Sequence, residues 1–256
     1  MFDNYFVRVT FDLFRRKYSK FLDLKIDPEI YIDSETLNRI TPAILLEMKE
    51  ILSKFRCNTI HAPFLDISTG GYDKEIRDLS LKKLKKIIGL AQEWNSKIVV
   101  VHYNYDRMYY REYLDLWLNN AASFFRELSD YDAPPLIALE NINDPTPFVA
   151  LKLEEMINRK NIIHCFDFGH HNVFGEISFS EWLFYLRSGR HVHLHFHDNI
   201  GNNDDHLPVG EGNIRWDIVK DLLPDMKINF SVTLEPHSEK DMMKTLKNYR
   251  KLFLAS

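Results

Sequence analysis

The sequence predicts a single α/β domain spanning 1–256, a (β/α)8 barrel. Three observations predict it: eight short apolar, β-rich runs, amphipathic stretches between them, and polar side chains standing where the runs end. Regular alternation of strand and helix builds a parallel sheet, and about 250 residues is the usual size of a barrel of this kind. No internal repeat, low-complexity segment or Pro/Gly/Ser-rich linker divides the chain.

In chain order the strand candidates are Tyr5–Thr10, Glu29–Ile32, Thr59–Ala62, Lys97–His102, Leu136–Glu140, Ile162–Asp167, His191–His197 and Phe230–Glu235. After the second, Thr41-Pro42 opens a helix whose apolar residues Ile44, Leu45, Met48, Ile51, Leu52 and Phe55 follow the three-and-four spacing of one buried face. Ile76, Leu79, Leu84, Ile87, Ala91 and Trp94 repeat that pattern after the third strand. Lys82, Lys83, Lys85 and Lys86 fill the opposite side of that helix and read as a solvated face rather than a nucleic-acid contact. Later helix starts are marked by Thr146-Pro147 and by Ser238 with Asp241 three residues on. Trp94, Trp117, Trp182 and Trp216 lie in helical patterns and are assigned to the core.

Composition narrows the function classes. The chain is 45% hydrophobic and 27% charged, ordinary values for a folded protein. A formal charge of −4 lacks the cationic excess that phosphate-backbone binding requires, so nucleic acid is not the expected partner. The two cysteines, Cys57 and Cys165, adjoin or lie within apolar runs and suit buried thiols in a reducing compartment, which points to the cytoplasm. Neither a signal-peptide core nor an apolar stretch of about 18 residues occurs, so no membrane span is expected.

The chemistry stands at the strand ends. TIHAP carries His61, IVVVHYN carries His102, LIALEN carries Glu140, HCFDFGHH carries Asp167 and His170, and SVTLEP carries Glu235. The seventh run, HVHLHFHDN, adds His195 and His197, and DDHLPVGEG after it adds Asp204 and His206. In a parallel barrel all strand C-termini open on one face, so these residues are expected to converge there. Burying several carboxylates and imidazoles together costs several kcal/mol per unpaired charge, and a divalent cation is the usual compensation. Oxygen and imidazole donors without thiolate favour zinc or manganese, then iron or cobalt. Along the seventh strand His191 lies roughly 20 Å from His197, six residues at about 3.3 Å each, so His191 and His193 belong to the barrel interior. His164 and His171 read as structural, and Cys165 as a core thiol. No GxSxG, GxxxxGK[ST] or GxGxxG element offers another chemistry.

The order His61, His102, Glu140, Asp167-x-x-His170, His195-x-x-Asp198, Asp204-x-His206 with Gly210-x-Gly212, then Glu235, resembles the xylose isomerase-like TIM-barrel superfamily. That superfamily includes sugar phosphate isomerases and epimerases, ketose 3-epimerases and endonuclease IV. Resemblance to the epimerases implies one divalent ion held by Glu140, Asp167, His195 and Glu235. The two glutamates would then move a proton next to a substrate carbonyl through an enediolate, making Glu140 and Glu235 the catalytic pair on a sugar, sugar phosphate or related polyol. Resemblance to endonuclease IV implies up to three zinc ions. His61, His102 and Glu140 would hold the first, Glu140, Asp167, His195 and Glu235 the second, and His170, Asp204 and His206 the third, for phosphoester hydrolysis. Against that branch, the loop between His195 and Asp204 is shorter, HCFDFGH lacks the Asp-x-Cys-His signature, and the DNA-contact motifs are missing. His195 is preferred over His197 as ligand on its spacing to Asp198. Phe64 and Tyr103 are expected to line the pocket, with His170 and His197 as further substrate contacts.

Overall fold

The computed structural model describes residues 2, 5–186, 191–227 and 229–254; the remainder of the expected 1–256 domain lies outside them. Eight strands form the wall: β1 (Tyr5–Thr10), β2 (Asp27–Tyr31), β3 (Thr59–His61), β4 (Ile98–His102), β5 (Leu136–Glu140), β6 (Ile162–Asp167), β7 (Val192–Phe196) and β8 (Phe230–Leu234). They pair in chain order, all parallel, and β8 returns to β1 through Tyr5↔Val232, closing the barrel. Around it lie α1 (Phe11–Leu24), α2 (Ser34–Arg39), α3 (Pro42–Leu52), α4 (Lys74–Glu93), α5 (Arg107–Tyr110), α6 (Leu114–Leu128), α7 (Phe148–Ile157), α8 (Phe168–Phe174), α9 (Phe179–Leu186), α10 (Trp216–Asp225) and α11 (Glu239–Tyr249). The barrel expectation is therefore met, each expected strand overlapping an observed one.

Local chemistry explains the helix starts and stops. Thr41 caps α3 by accepting from Ile44 N, with Pro42 in the first turn where its missing N–H costs nothing. Ser238 caps α11 by accepting from Asp241 N. Three helix readings need correction. Phe55 lies beyond α3, which ends at Leu52. Thr146 caps nothing, because α7 starts after Pro147 with no side-chain cap. Ile76 and Leu79 are exposed, since the buried face of α4 is carried by Ser80, Leu84, Ile87, Ile88 and Ala91. The lysine run does face outward, with Lys85 paired to Glu127 and Lys83 bonded to Ser34.

Side chains alternate across a strand, so each strand sends every second residue into the barrel. The large apolar core, including all four tryptophans, fills the space between strands and helices. Inside the barrel a small apolar group, Ile98, Val100, Ala138, Ile163 and Cys165, occupies one side. On the other, Glu29, Thr59, His193 and Thr233 are fully buried and polar. His193 thus takes the interior place expected of it. His164 and His171 point away from the interior and bond to Glu154 and to the Ile177 carbonyl, as structural histidines do. Among the described residues no helix is long and apolar enough to cross a membrane.

Candidate metal centre

The register of the barrel brings the last inward residues of its strands to one level, with His102 opposite Glu140 and Asp167 opposite His195. Glu140 stands at the centre of the resulting cluster. Its Oε2 lies 3.3 Å from His61 Nε2 and 3.0 Å from His102 Nε2, and its Oε1 lies 3.4 Å from His195 Nδ1 and 3.4 Å from His170 Nδ1. Glu235 approaches the same His195 Nδ1 from β8, at 3.3 Å, and Asp167 stands 3.8 Å from it. The strand-end residues expected to meet do meet. Above them opens a cavity of about 430 Å³ lined by His61, His102, Glu140, His170, Asp204, His206 and Glu235, with Phe64 in its wall.

The ring orientations follow from backbone contacts. A carbonyl only accepts, so His61 Nδ1, bonded to Ala62 O at 3.0 Å, carries the hydrogen and leaves its Nε2 lone pair facing Glu140. His206 donates from Nδ1 to the Glu235 carbonyl at 3.3 Å and from Nε2 to Asp204 Oδ2 at 3.1 Å. His170 Nδ1 donates to Asn141 O at 2.9 Å while Nε2 faces Asp204 Oδ2 at 3.4 Å. The Asp-x-x-His spacing has its own cause: Asp167 caps α8 by accepting from His170 N, which sets His170 on the first turn above it. A Cβ at Gly169 would lie 1.9 Å from His197 Cε1, so only glycine lets α8 pass this close to the ring. His197 in turn donates to Asp167 from Nε2 at 3.0 Å.

Two further parts of the site are invisible in the strand-end pattern. Glu29, from the middle of β2, accepts from Thr59 Oγ1 at 3.0 Å, Thr233 Oγ1 at 2.8 Å and His193 Nε2 at 3.1 Å, all through Oε2. Its Oε1 is left at ion-pair distance, 3.3 Å, behind His195 Nε2, and the other ring nitrogen, Nδ1, faces the cluster. A carboxylate inside an otherwise apolar run, PEIYI, was the available signal. Asp198 is no ligand. It receives Asn199 N, Ile214 N, Gly210 N and Trp216 Nε1, and so folds back the loop that carries Asp204 and His206. Gly212 is required there, since a Cβ would fall 2.2 Å from Asp198 Oδ1. Next to the pairing of Asp198 with Leu207, His206 stands at φ 48°, a left-handed conformation that histidine enters more readily than most residues other than glycine.

Two expected contacts move. Tyr103 does not line the cavity; His102 points inward, so its neighbour points outward and packs on Trp117. His197 is buried behind His206, whose ring it stacks on at 3.8 Å, and bonds to Asp167 rather than lining the cavity. Phe64 keeps its place and stacks on His102 at 4.6 Å.

Charge in the cluster is tightly balanced. Burial pushes Glu140 upward, but His102 and His195 outweigh it and hold the carboxyl well below its ordinary range. Against the same burial, His170 and His197 hold Asp167 at about 2. Burial depresses His170, yet Asp167, Asp204 and Glu140 carry it up to about 10. Cys165 is driven well above its usual value by burial and stays a thiol.

The residues fit a divalent ion. Both Glu140 oxygens, Glu235 Oε1, His102 Nε2 and His195 Nδ1 are buried without a hydrogen-bond partner among the described residues, although several stand 3.0–3.4 Å apart. Leaving such atoms bare costs about 1–3 kcal/mol each. Donors about 2.0–2.1 Å from a tetrahedral ion stand about 3.3–3.4 Å from one another, close to the spacing seen here. His61, His102 and Glu140 form one group with donor atoms within 4.8 Å, His61, His195 and Glu235 another, and His170, His197, Asp204 and His206 a third.

Known proteins share this frame. The chain is 29% identical over 228 residues to the uncharacterized protein MJ1311 of Methanocaldococcus jannaschii, covering 84% of this chain and 78% of that one. A D-tagatose 3-epimerase-like protein of known structure superposes with a TM-score of 0.82 at 26% identity over 98% of both chains. Endonuclease IV of Thermus thermophilus superposes with a TM-score of 0.72 at 15% identity, over 99% of this chain and 100% of that one, a likeness of fold alone. The family profile described as xylose isomerase-like TIM barrel matches residues 28–252, and the chain belongs to that family.

Proposed function

We propose that the protein is a divalent-metal-dependent isomerase or epimerase of a sugar or related polyol. The observation that carries this reading is the placement of Glu140 and Glu235, which reach the same His195 nitrogen from β5 and β8 at 3.4 and 3.3 Å. Likeness to the D-tagatose 3-epimerase-like protein supports it. Glu140, Asp167, His195 and Glu235 would hold the ion, which supplies Lewis-acid polarisation of a substrate carbonyl and stabilises the charge that builds on its oxygen. One glutamate takes the proton from the carbon beside the carbonyl, and a glutamate returns it to the same or the neighbouring centre. Glu29 keeps the His195 ring in place during both transfers. Phe64, stacked on His102, walls the cavity against water, and about 430 Å³ suits a small molecule.

The test is proton exchange. Metal-loaded protein incubated with ketoses and their phosphates in D2O is expected to place deuterium on the carbon next to the carbonyl. Absence of exchange with every member of the panel sinks the reading. A second reading, zinc-dependent phosphoester hydrolysis, draws support from the third donor group, His170, His197, Asp204 and His206. Elemental analysis separates the two: about one ion per chain favours the isomerase, three favour the hydrolase.

Glu29→Gln is expected to weaken metal binding about 10–100-fold, the usual cost of losing the carboxylate behind a ligating histidine. An amide placed at Oε1 would donate toward His195 Nε2 and favour the tautomer with hydrogen on Nδ1. Competition with a chromophoric chelator measures the change, and an unaltered affinity removes Glu29 from this role.

A further inference from the structure

The mouth cavity is lined by a cation, Arg8, whose Nε makes no hydrogen bond among the described residues. Arg8 comes from β1 and is the one Lys or Arg lining the cavity among the described residues. Its Nε is buried without a hydrogen-bond partner among the described residues. Glu235 Oε1 lies 3.3 Å from Nε, yet it too is without a hydrogen bond, and it is shared with His195 at 3.3 Å. The guanidinium is held in place by the Tyr31 ring, 4.7 Å beneath it, so its donors are pre-set rather than free to swing into solvent. Beyond Arg8 lies a side cavity of about 310 Å³ lined by Tyr31, His237, Ser238 and Glu239, the last paired with Lys17 and Lys20. A substituent reaching past the metal cluster therefore has room beside the guanidinium.

We propose that Arg8 is a receptor for an anionic group on the substrate, a phosphate or a carboxylate, and that the substrate is an acidic polyol rather than a neutral sugar. This rests on the reading of the mouth as a small-polyol site. A guanidinium presents parallel N–H donors that match a carboxylate or phosphate edge, and it remains charged at every working pH. Glu235 stands at ion-pair distance, 3.3 Å, but is shared with the cluster, and no carboxylate among the described residues hydrogen-bonds Arg8 Nε. An anion at the cavity edge satisfies the fork and balances the charge together.

The test is direct binding, read apart from turnover. Inorganic phosphate and acetate are titrated calorimetrically into metal-loaded wild-type protein, Arg8→Gln and Arg8→Lys, with metal content and melting temperature measured on each. The wild type is expected to bind one anion about tenfold or more tightly than Arg8→Gln, the size of a lost charge-assisted hydrogen-bond pair, with Arg8→Lys between them because it keeps charge without the fork. Preference for phosphate marks a phosphate ester, and preference for acetate a sugar acid. Equal affinities in wild type and Arg8→Gln at equal metal content, or no anion binding by the wild type at high-millimolar concentration, overturn the proposal. Should Arg8→Gln not fold, the comparison rests on Arg8→Lys, where equal affinity has the same meaning. Intact Arg8-dependent binding without deuterium exchange would instead remove the isomerase reading and leave the anion site standing.

Discussion

Glu140→Gln is expected to lower turnover by about 10²–10⁴-fold, the range that a positioned acid–base group contributes. Both carboxylate oxygens are buried and bare of hydrogen bonds, and four imidazoles surround them at 3.0–3.4 Å. Glutamine keeps the shape but loses the charge that balances those rings, and its amide can neither take a proton nor hold a cation well. Glu235→Gln is expected to act in the same direction. Deuterium exchange, initial rates and metal content measured on the same samples check this. If either variant exchanges substrate protons at the wild-type rate, that residue is not a catalytic base. The barrel itself is expected to survive, because the layer beneath, Ile98, Val100, Ala138, Ile163 and Cys165, is apolar and independent of both glutamates.

Metal affinity is expected to rise with pH, by about tenfold per unit for each proton displaced, up to the point where the imidazoles are neutral. In the metal-free protein His170 is held at about 10 and His195 well above its ordinary value, so both carry protons at neutral pH that a cation must remove. Folding of the metal-free protein has limbs of both signs. A raised His170 stabilises fully below its unfolded value near about 6.5, and that contribution is lost as pH climbs through about 10. Asp167 is depressed to about 2, so its contribution is present above its unfolded value near about 3.9 and disappears as pH falls through about 2. Glu140 and Glu235 are lowered too and add to the acid limb. Melting temperature of the metal-free protein should therefore peak in the mildly acidic range, while metal protection grows toward alkaline pH. Metal affinity that is flat between pH 6 and 9, on an order-of-magnitude scale, would mean that the histidines are neutral before metal binds.

Much of this site was legible without coordinates. A barrel strand ends where its apolar run ends, so His61, His102, Glu140, Asp167 and Glu235 announced themselves by position along the chain. Helix α4 was harder: Ile76 and Leu79 lie in its first turns and are exposed, while burial begins at Ser80, because periodicity along a helix does not say where its neighbours begin. Tyr103 misled because adjacency to a strand end does not say which way a side chain faces.

The sequence by itself determined the eight-strand alternation, the cluster of acidic and imidazole residues at the strand ends, and hence the family. All of these depend on properties that repeat locally: a period of two along strands, a period of 3.6 along helices, and the common direction of parallel strands. Only the tertiary structure decided that Glu29 stands behind His195, that Asp198 anchors a loop, and that Arg8 meets the cavity beside Glu235. Those assignments depend on closure and register between strands far apart in the chain, where a shift of one residue would turn each side chain to the opposite face.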